Sequence, residues 1–130
     1  MDIGLTSRLI IHNILKDIKM KSINYEQALN DNTIKKNITD FDRKFIKNIV
    51  MNTMRYHILI ERIIKKLSTK SIIKNDTYYL LLSSITQLLF LKIKDYAVVN
   101  DTVQISKLKK IKASSKFING FLRNFLRKKN

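Results

Sequence analysis

Apolar side chains recur along this chain at intervals of three and four, the spacing that lines one face of a helix. Ile10, Ile11, Ile14, Leu15 and Ile18 form the first such stripe, and Thr6 or Ser7 ahead of it predicts the helix cap. A short helix around Tyr25 to Asn30 would bury Tyr25, Ala28 and Leu29. Thr39-Asp40-Phe41-Asp42 has the form of a helix start, with a capping hydroxyl or carboxylate and Asp42 favoured near the positive end of the helix dipole. It leads into the stripe Phe45, Ile46, Ile49, Val50 and Met54, and a second stripe, Ile60, Ile63, Ile64 and Leu67, follows Arg55-Tyr56-His57. An unbroken helix over 41–67 would be about 40 Å long, more than a small domain spans, so a break is predicted near Tyr56. Ser68 to Asp76 reads as a polar connection, and the run from about Thr77 to Leu91 is apolar on nearly every side, as in a central buried helix. Asp95 is placed to cap a helix from about Tyr96 to Lys107. Ser114 or Ser115 is placed to cap the last one, which ends near Lys128 and packs through Phe117, Ile118, Phe121, Leu122, Phe125 and Leu126.

Proline is absent and glycine occurs only at Gly4 and Gly120, which removes most hairpin chemistry. The fold expected is therefore all-α, a compact bundle of about six to seven helices forming a single domain over residues 1–130. Gly120 inside the last helix costs about 1 kcal/mol relative to Ala and predicts close approach of another backbone. Without cysteine there is no disulfide, thiolate metal site or Cys nucleophile. The opening residues lack the form of a secretory signal. The most apolar run, Tyr78 to Leu91, is 14 residues long and includes Ser83, Ser84, Thr86 and Gln87, whereas a membrane span needs about 20 apolar residues. A cytoplasmic protein without membrane attachment is expected.

Charge changes the picture more than composition does. The net charge is +16, but Lys supplies 20 of the 26 basic residues, and Ile, Lys and Asn make up 53 of 130. Coding sequence poor in G and C produces that bias on any solvated surface. The distribution is less even than such drift implies: residues 1–60 hold ten basic and six acidic groups, and residues 61–130 hold sixteen and four. After Asp101 the last 29 residues contain no acid and nine Lys or Arg. A folded element with one sign of charge attracts polyanions, because neutralised phosphates release their counterions.

Catalytic chemistry is poorly represented, and no catalytic residue, metal site or cofactor is expected. His12 and His57 stand 45 positions apart; His57 and Glu61 read as a surface or partly buried pair. Helix capping accounts for Asp40 and Asp42. The clustered glycines of a phosphate-cradling or dinucleotide loop are missing.

Four segments, in order and at matching spacing, resemble the NusB-type RNA-binding domain. Arg8 opens the first apolar stripe. Asp42-Arg43-Lys44-Phe45 leads into Val50-Met51-Asn52-Thr53-Met54-Arg55, similar to the family's D-R-x-[FL] and V-x-G-x-[LV]-R. Gln87-Leu88-Leu89-Phe90-Leu91 precedes Ala97-Val98-Val99-Asn100-Asp101-Thr102-Val103, similar to A-x-x-N-E-A-V. Phe117-Ile118-Asn119-Gly120-Phe121-Leu122-Arg123 is similar to F-V-N-[GA]-V-L-[RD]. The chain departs from the pattern where the family has Pro (here Lys94 or Asp95) and Gly (near Asn52 and Ser84).

The resemblance implies an all-helical domain that binds rRNA or leader RNA. Two branches are known: a stand-alone transcription antitermination factor that works with a ribosomal protein, and the N-terminal domain of small-subunit rRNA cytosine-C5 methyltransferases of the RsmB/Sun/Fmu type. Arg55, Gln87 and Arg123 resemble the methyltransferase branch, which would continue into a catalytic domain; residues 1–130 are not expected to methylate RNA by themselves. The implied RNA contacts are Arg8, Tyr96, Lys112, Lys116 and Phe117, with Arg123 a further candidate. Lys and Arg would attract phosphates, and an exposed Phe or Tyr can stack on an unpaired base. For each there is a structural alternative. Phe117 begins an apolar stripe, Arg8 can pair with Asp101, Lys112 and Lys116 can be solvated surface, and Arg55 and Arg123 can pair along a helix. Asn100 and Asn119 are expected to bond helix ends across the core, and Arg43 to pair with an acid. A protein-interaction or dimerisation domain with incidental charge is the remaining alternative.

Overall fold

The computed structural model describes residues 3–68 and 75–129. Among them are seven helices and no strand: α1 (Ile3–Lys21), α2 (Tyr25–Thr33), α3 (Asp40–Arg55), α4 (His57–Leu67), α5 (Asp76–Phe90), α6 (Asp95–Ser106) and α7 (Ser115–Lys129). The all-helical reading therefore holds. The polar connection expected over Ser68 to Asp76 lies largely outside the described residues.

The helix that is apolar all round is the axis of the bundle. Twelve of the fifteen residues of α5 are buried, and α1, α3, α4, α6 and α7 all pack against it. It runs antiparallel to α1: Arg8 meets Gln87 near one end, while His12 and Lys16 meet Asp76 at the other. Ile10, Ile11 and Ile14 of α1, Ile46, Ile49 and Val50 of α3, Ile60 and Ile64 of α4, and Ile118 and Leu122 of α7 complete the core. Each such burial contributes about 1.5–3 kcal/mol relative to exposure. A polar tie joins α3 and α5 within it: Thr53 Oγ1 lies 3.1 Å from Thr86 Oγ1, and each hydroxyl also meets its own helix's carbonyl one turn back.

Local structure follows local chemistry, with three departures. Thr39 and Asp42 form a reciprocal capping box at the start of α3, and Ser114 Oγ accepts the Phe117 N–H at the start of α7. The predicted break falls at Tyr56, which ends α3, begins α4 and stacks on Phe90 with ring centroids 4.1 Å apart. The first departure is α1, which runs back through Thr6 and Ser7 to Ile3; Ser7 is buried within the helix and does not cap it. In the second, Asp95 is the first residue of α6, following Lys94, which makes no side-chain cap. Its carboxylate still favours the helix dipole from that turn. The third is Gly120, where an added Cβ would meet nothing within 4 Å. It is exposed on α7, so no other backbone of this chain explains it. Ser22, Lys35 and Lys92, just beyond α1, α2 and α5, have φ values of 54°, 66° and 51°, the left-handed conformation that glycine usually supplies after a helix.

Candidate nucleic-acid interface

Two buried carboxylates organise the region around the basic connection between α6 and α7. Asp76, only 3% exposed, opens α5. Its Oδ1 lies 3.0 Å from His12 Nε2 and 2.9 Å from Lys16 Nζ, and its Oδ2 accepts the Lys112 backbone N–H at 2.8 Å. One carboxylate thus joins α1, α5 and the α6–α7 connection. Burial would raise its pKa, but the hydrogen bonds from Lys112, Lys16 and His12 outweigh that and hold it below the usual carboxylate value. Burial also lowers the pKa of His12, against the pull of Asp76. A neutral imidazole donating from Nε2 fits both directions, and it leaves the buried Nδ1 without a hydrogen-bond partner.

Asp101 of α6 is the second carboxylate. Its Oδ2 accepts from Arg8 Nη1 at 2.7 Å, while Arg8 Nε donates to Gln87 Oε1 at 2.6 Å. The guanidinium carbon lies 5.5 Å from the centroid of the Phe45 ring, a cation–π distance. Gln87 is fixed in turn through the Ser83 carbonyl. Four helices, α1, α3, α5 and α6, meet at this cation.

Outside these anchors the surface is cationic. Lys107, Lys109, Lys110 and Lys112 are exposed on the connection. Along α7, Lys116, Gly120, Arg123 and Arg127 are all exposed and stand at i, i+4, i+7 and i+11, one stripe of the helix. Among the described residues, none of these cations is in an ion pair. Beside the stripe a groove of about 510 Å³ runs between α6 and α7. Val99, Val103 and Leu126 give it apolar lining, and Asp95, Tyr96, Asn100, Asn119 and Arg123 give it polar lining. Arg123 Nε donates to Asn119 Oδ1 at 3.1 Å.

The candidate RNA contacts singled out from sequence fall into four places. Lys112 and Lys116 are exposed on the connection and the first turn of α7. Tyr96, 72% exposed, shares the groove with Arg123. Phe117 is half-buried, its ring 5.9 Å from that of Phe121. Arg8 is 6% exposed and takes the structural alternative: pairing with Asp101 holds its guanidinium in the interior, away from direct ligand contact. Asn100 and Asn119 do not reach across the core but line the α6–α7 groove. Asp42 is occupied with the Thr39 N–H, and Arg43 makes no ion pair among the described residues. His57 Nδ1 lies 2.8 Å from the Met54 carbonyl, and Glu61 accepts the Tyr78 hydroxyl. Sequence reasoning passed over Lys16 and Asp76. Lys16 stands one turn after His12, and Asp76 is the acid at the mouth of the most apolar helix, a position with a signal but no visible partner.

These features define a class, an all-helical bundle around a buried axis with a cationic edge fixed by interior carboxylates. No group of metal-ligating side chains occurs among the described residues, and no described helix is long and apolar enough to cross a membrane. The family follows from the sequence match: the NusB family model covers residues 5–127, and the chain belongs to the NusB family. Its fold is similar to that of a chain in the crystal structure of a plectonemic RNA supercoil, with TM-score 0.84, 24% identity, and coverage of 98% of this chain and 96% of that one. It is also similar to a chain in the crystal structure of antitermination factors NusB and NusE in complex with dsRNA, with TM-score 0.81, 22% identity and 98% coverage of both. No curated protein sequence matches significantly.

Proposed function

We propose that this chain is a cytoplasmic RNA-binding domain that holds rRNA or leader RNA and carries out no chemistry itself. The observation that carries this reading is the Asp76 anchor. By binding Lys16 and the Lys112 backbone on its two oxygens, it fixes the lysine-rich connection beside α1. Lys112 and Lys116 then offer phosphates a pre-arranged pair of cations, and each neutralised phosphate releases counterions. Phe117, half-buried at the start of α7, would add an aromatic contact through its open edge. Arg8 contributes indirectly, by holding α1 against α5 and α6. Binding to a labelled RNA, followed by anisotropy across a salt series, tests this. Log affinity should fall linearly with log salt, and Lys112→Ala and Lys116→Ala should each reduce that slope by about 1. Affinity that stays flat across the series sinks the reading.

Within the family, Arg55, Gln87 and Arg123 favour the module attached to rRNA cytosine-C5 methyltransferases. Gln87 has a physical role in this choice: it meets Arg8 with a neutral amide where the antitermination factor more often carries Glu. The stand-alone antitermination factor is the second reading, favoured by the full-length likeness to a chain solved with NusE and dsRNA. Mixing the chain with a NusE-type ribosomal protein separates the two. A stable heterodimer on size exclusion supports antitermination, and its absence supports the methyltransferase-associated module.

A further inference from the structure

We infer that the groove between α4 and the end of α7 is a docking site for an acidic amphipathic helix of a partner protein. It lies beside the last turn of α5, whereas the Asp76 anchor opens that helix, and the inference stands independently of the RNA-binding reading. The groove encloses about 440 Å³. Ile63 and Leu67 of α4, Leu89 of α5 and Phe125 of α7 supply its apolar lining. Phe125 is buried, but Ile63, Leu67 and Leu89 are only half-buried, so apolar surface stands open to water there. Leu59, 46% exposed, extends the strip along α4. Leu59, Ile63 and Leu67 stand at i, i+4 and i+8 on one flank, a row about 12 Å and two helical turns long. Helix α4 therefore buries one face through Ile60 and Ile64 and leaves a second apolar row part-covered among the described residues.

The rim decides what covers it. The polar residues of the lining are Lys66, Lys128 and Lys129, and no acid is among them. Lys129 Nζ donates to the Leu88 carbonyl at 3.1 Å, which sets a cation at the negative end of the α5 dipole. Lys66 and Lys128 are exposed and in no ion pair among the described residues. An apolar row with a free cation on each wall is complementary to a helix that carries aliphatic residues one turn apart and Asp or Glu beside them. RNA fits this groove less well. Its lining has no amide or hydroxyl to read a base edge, and its aromatic ring, Phe125, is too buried at 4% exposure to stack on one. A second copy of the chain would bring a net charge of +16 against the same lysines. A site two turns long suits a small, transient interface.

The probe is a fluorescein-labelled peptide of about 15 residues, long enough to form a helix, with Leu on one face and Glu on the other. It is titrated by anisotropy beside a scrambled peptide of the same composition and a version with Lys in place of Glu. The acidic amphipathic peptide should bind and the other two should not. Leu59→Ala and Lys128→Glu should each weaken it by about 5- to 30-fold, as truncating an interface anchor does. Both side chains are exposed, so the melting temperature should stay unchanged and the loss is not one of folding. Lys112→Ala and Lys116→Ala should leave peptide affinity as it is, and Leu59→Ala should leave RNA affinity as it is. Equal binding of the scrambled peptide overturns the inference, as does full affinity in Leu59→Ala. Loss of RNA binding in Leu59→Ala, with RNA displacing the peptide, overturns it in favour of RNA in the groove. Wild-type protein that binds the peptide in a Leu59-dependent way but binds no RNA supports the groove and removes only the RNA-binding reading.

Discussion

Removing the carboxylate of Asp101 should destabilise this protein more than any single change on its cationic surface. Asp101 and Arg8 have side chains about as buried as the core, 6% and 7% exposed, and meet at 2.7 Å. In Asp101→Ala the guanidinium keeps its bond to Gln87 and its place over Phe45, but it loses its counter-charge with no route to water. Breaking one side of a buried pair costs about 3–5 kcal/mol, against a total stability of about 5–15 kcal/mol for a domain. With an unfolding entropy of about 2.1 cal/mol/K per residue over 130 residues, a loss of 4 kcal/mol lowers the melting temperature by about 15 °C. Urea unfolding followed by circular dichroism measures the loss directly. Replacing both partners, Arg8→Met with Asp101→Leu, should recover most of it, because an apolar pair leaves no buried charge unmatched. A loss below about 1 kcal/mol in Asp101→Ala, the range of exposed pairs, would refute the reasoning, since it would mean the guanidinium finds solvent.

Stability should also fall as the solution is acidified from neutrality. Folding lowers the pKa of His12 from 6.5 and of Asp76 from 3.8, so each contribution is present above the ordinary value and is lost as pH drops through the folded one. Melting temperature should therefore decline first below about pH 6.5 and again below about pH 4, and His12→Gln should flatten the upper step while leaving the lower. Thr39→Ala, which removes half of the capping box, should cost about 1 kcal/mol in urea titrations; no measurable change would mean that α3 is held by packing alone. Lys92→Gly should raise the melting temperature, because glycine adopts the left-handed conformation at φ 51° without the strain of roughly 1–2 kcal/mol that a side chain incurs.

Much of this architecture is legible in the sequence because each signal is local. The stripe through Ile10, Ile11 and Ile14 needs only helical spacing, and the break at Tyr56 needs only the length of a small core. Thr39 and Asp42 cap their helix three residues apart. What stays hidden is long-range pairing. Nothing near Asp76 in the chain announces that His12, Lys16 and the Lys112 backbone converge on it from 64, 60 and 36 positions away. Arg8 illustrates the same gap from the other side. An arginine opening an amphipathic helix has the same appearance whether it reaches for phosphate or for Asp101, and burial alone decides between them. The groove beside Tyr96 depends on how far apart α6 and α7 settle, which their apolar stripes leave open.

Burial of the acids also explains why the surface is more one-sided than the composition. Residues 61–130 contain four acids, Glu61, Asp76, Asp95 and Asp101. Asp76 and Asp101 are withdrawn into the interior, and Glu61 is half-buried under the Tyr78 hydroxyl and Lys65. Asp95 is left as the exposed acid of this half. The side-chain partners of the two interior carboxylates, Arg8, His12 and Lys16, come from α1, and the α6–α7 connection gives Asp76 only a backbone N–H, so no cation of that surface is taken up. The fold thus spends negative charge on holding its helices together and leaves the lysines of the connection and the stripe of α7 unneutralised. Drift in base composition adds lysines but does not choose which acids are buried. A potential that attracts phosphate therefore follows from where Asp76 and Asp101 point, and it would weaken on returning either carboxylate to the surface even with every lysine kept.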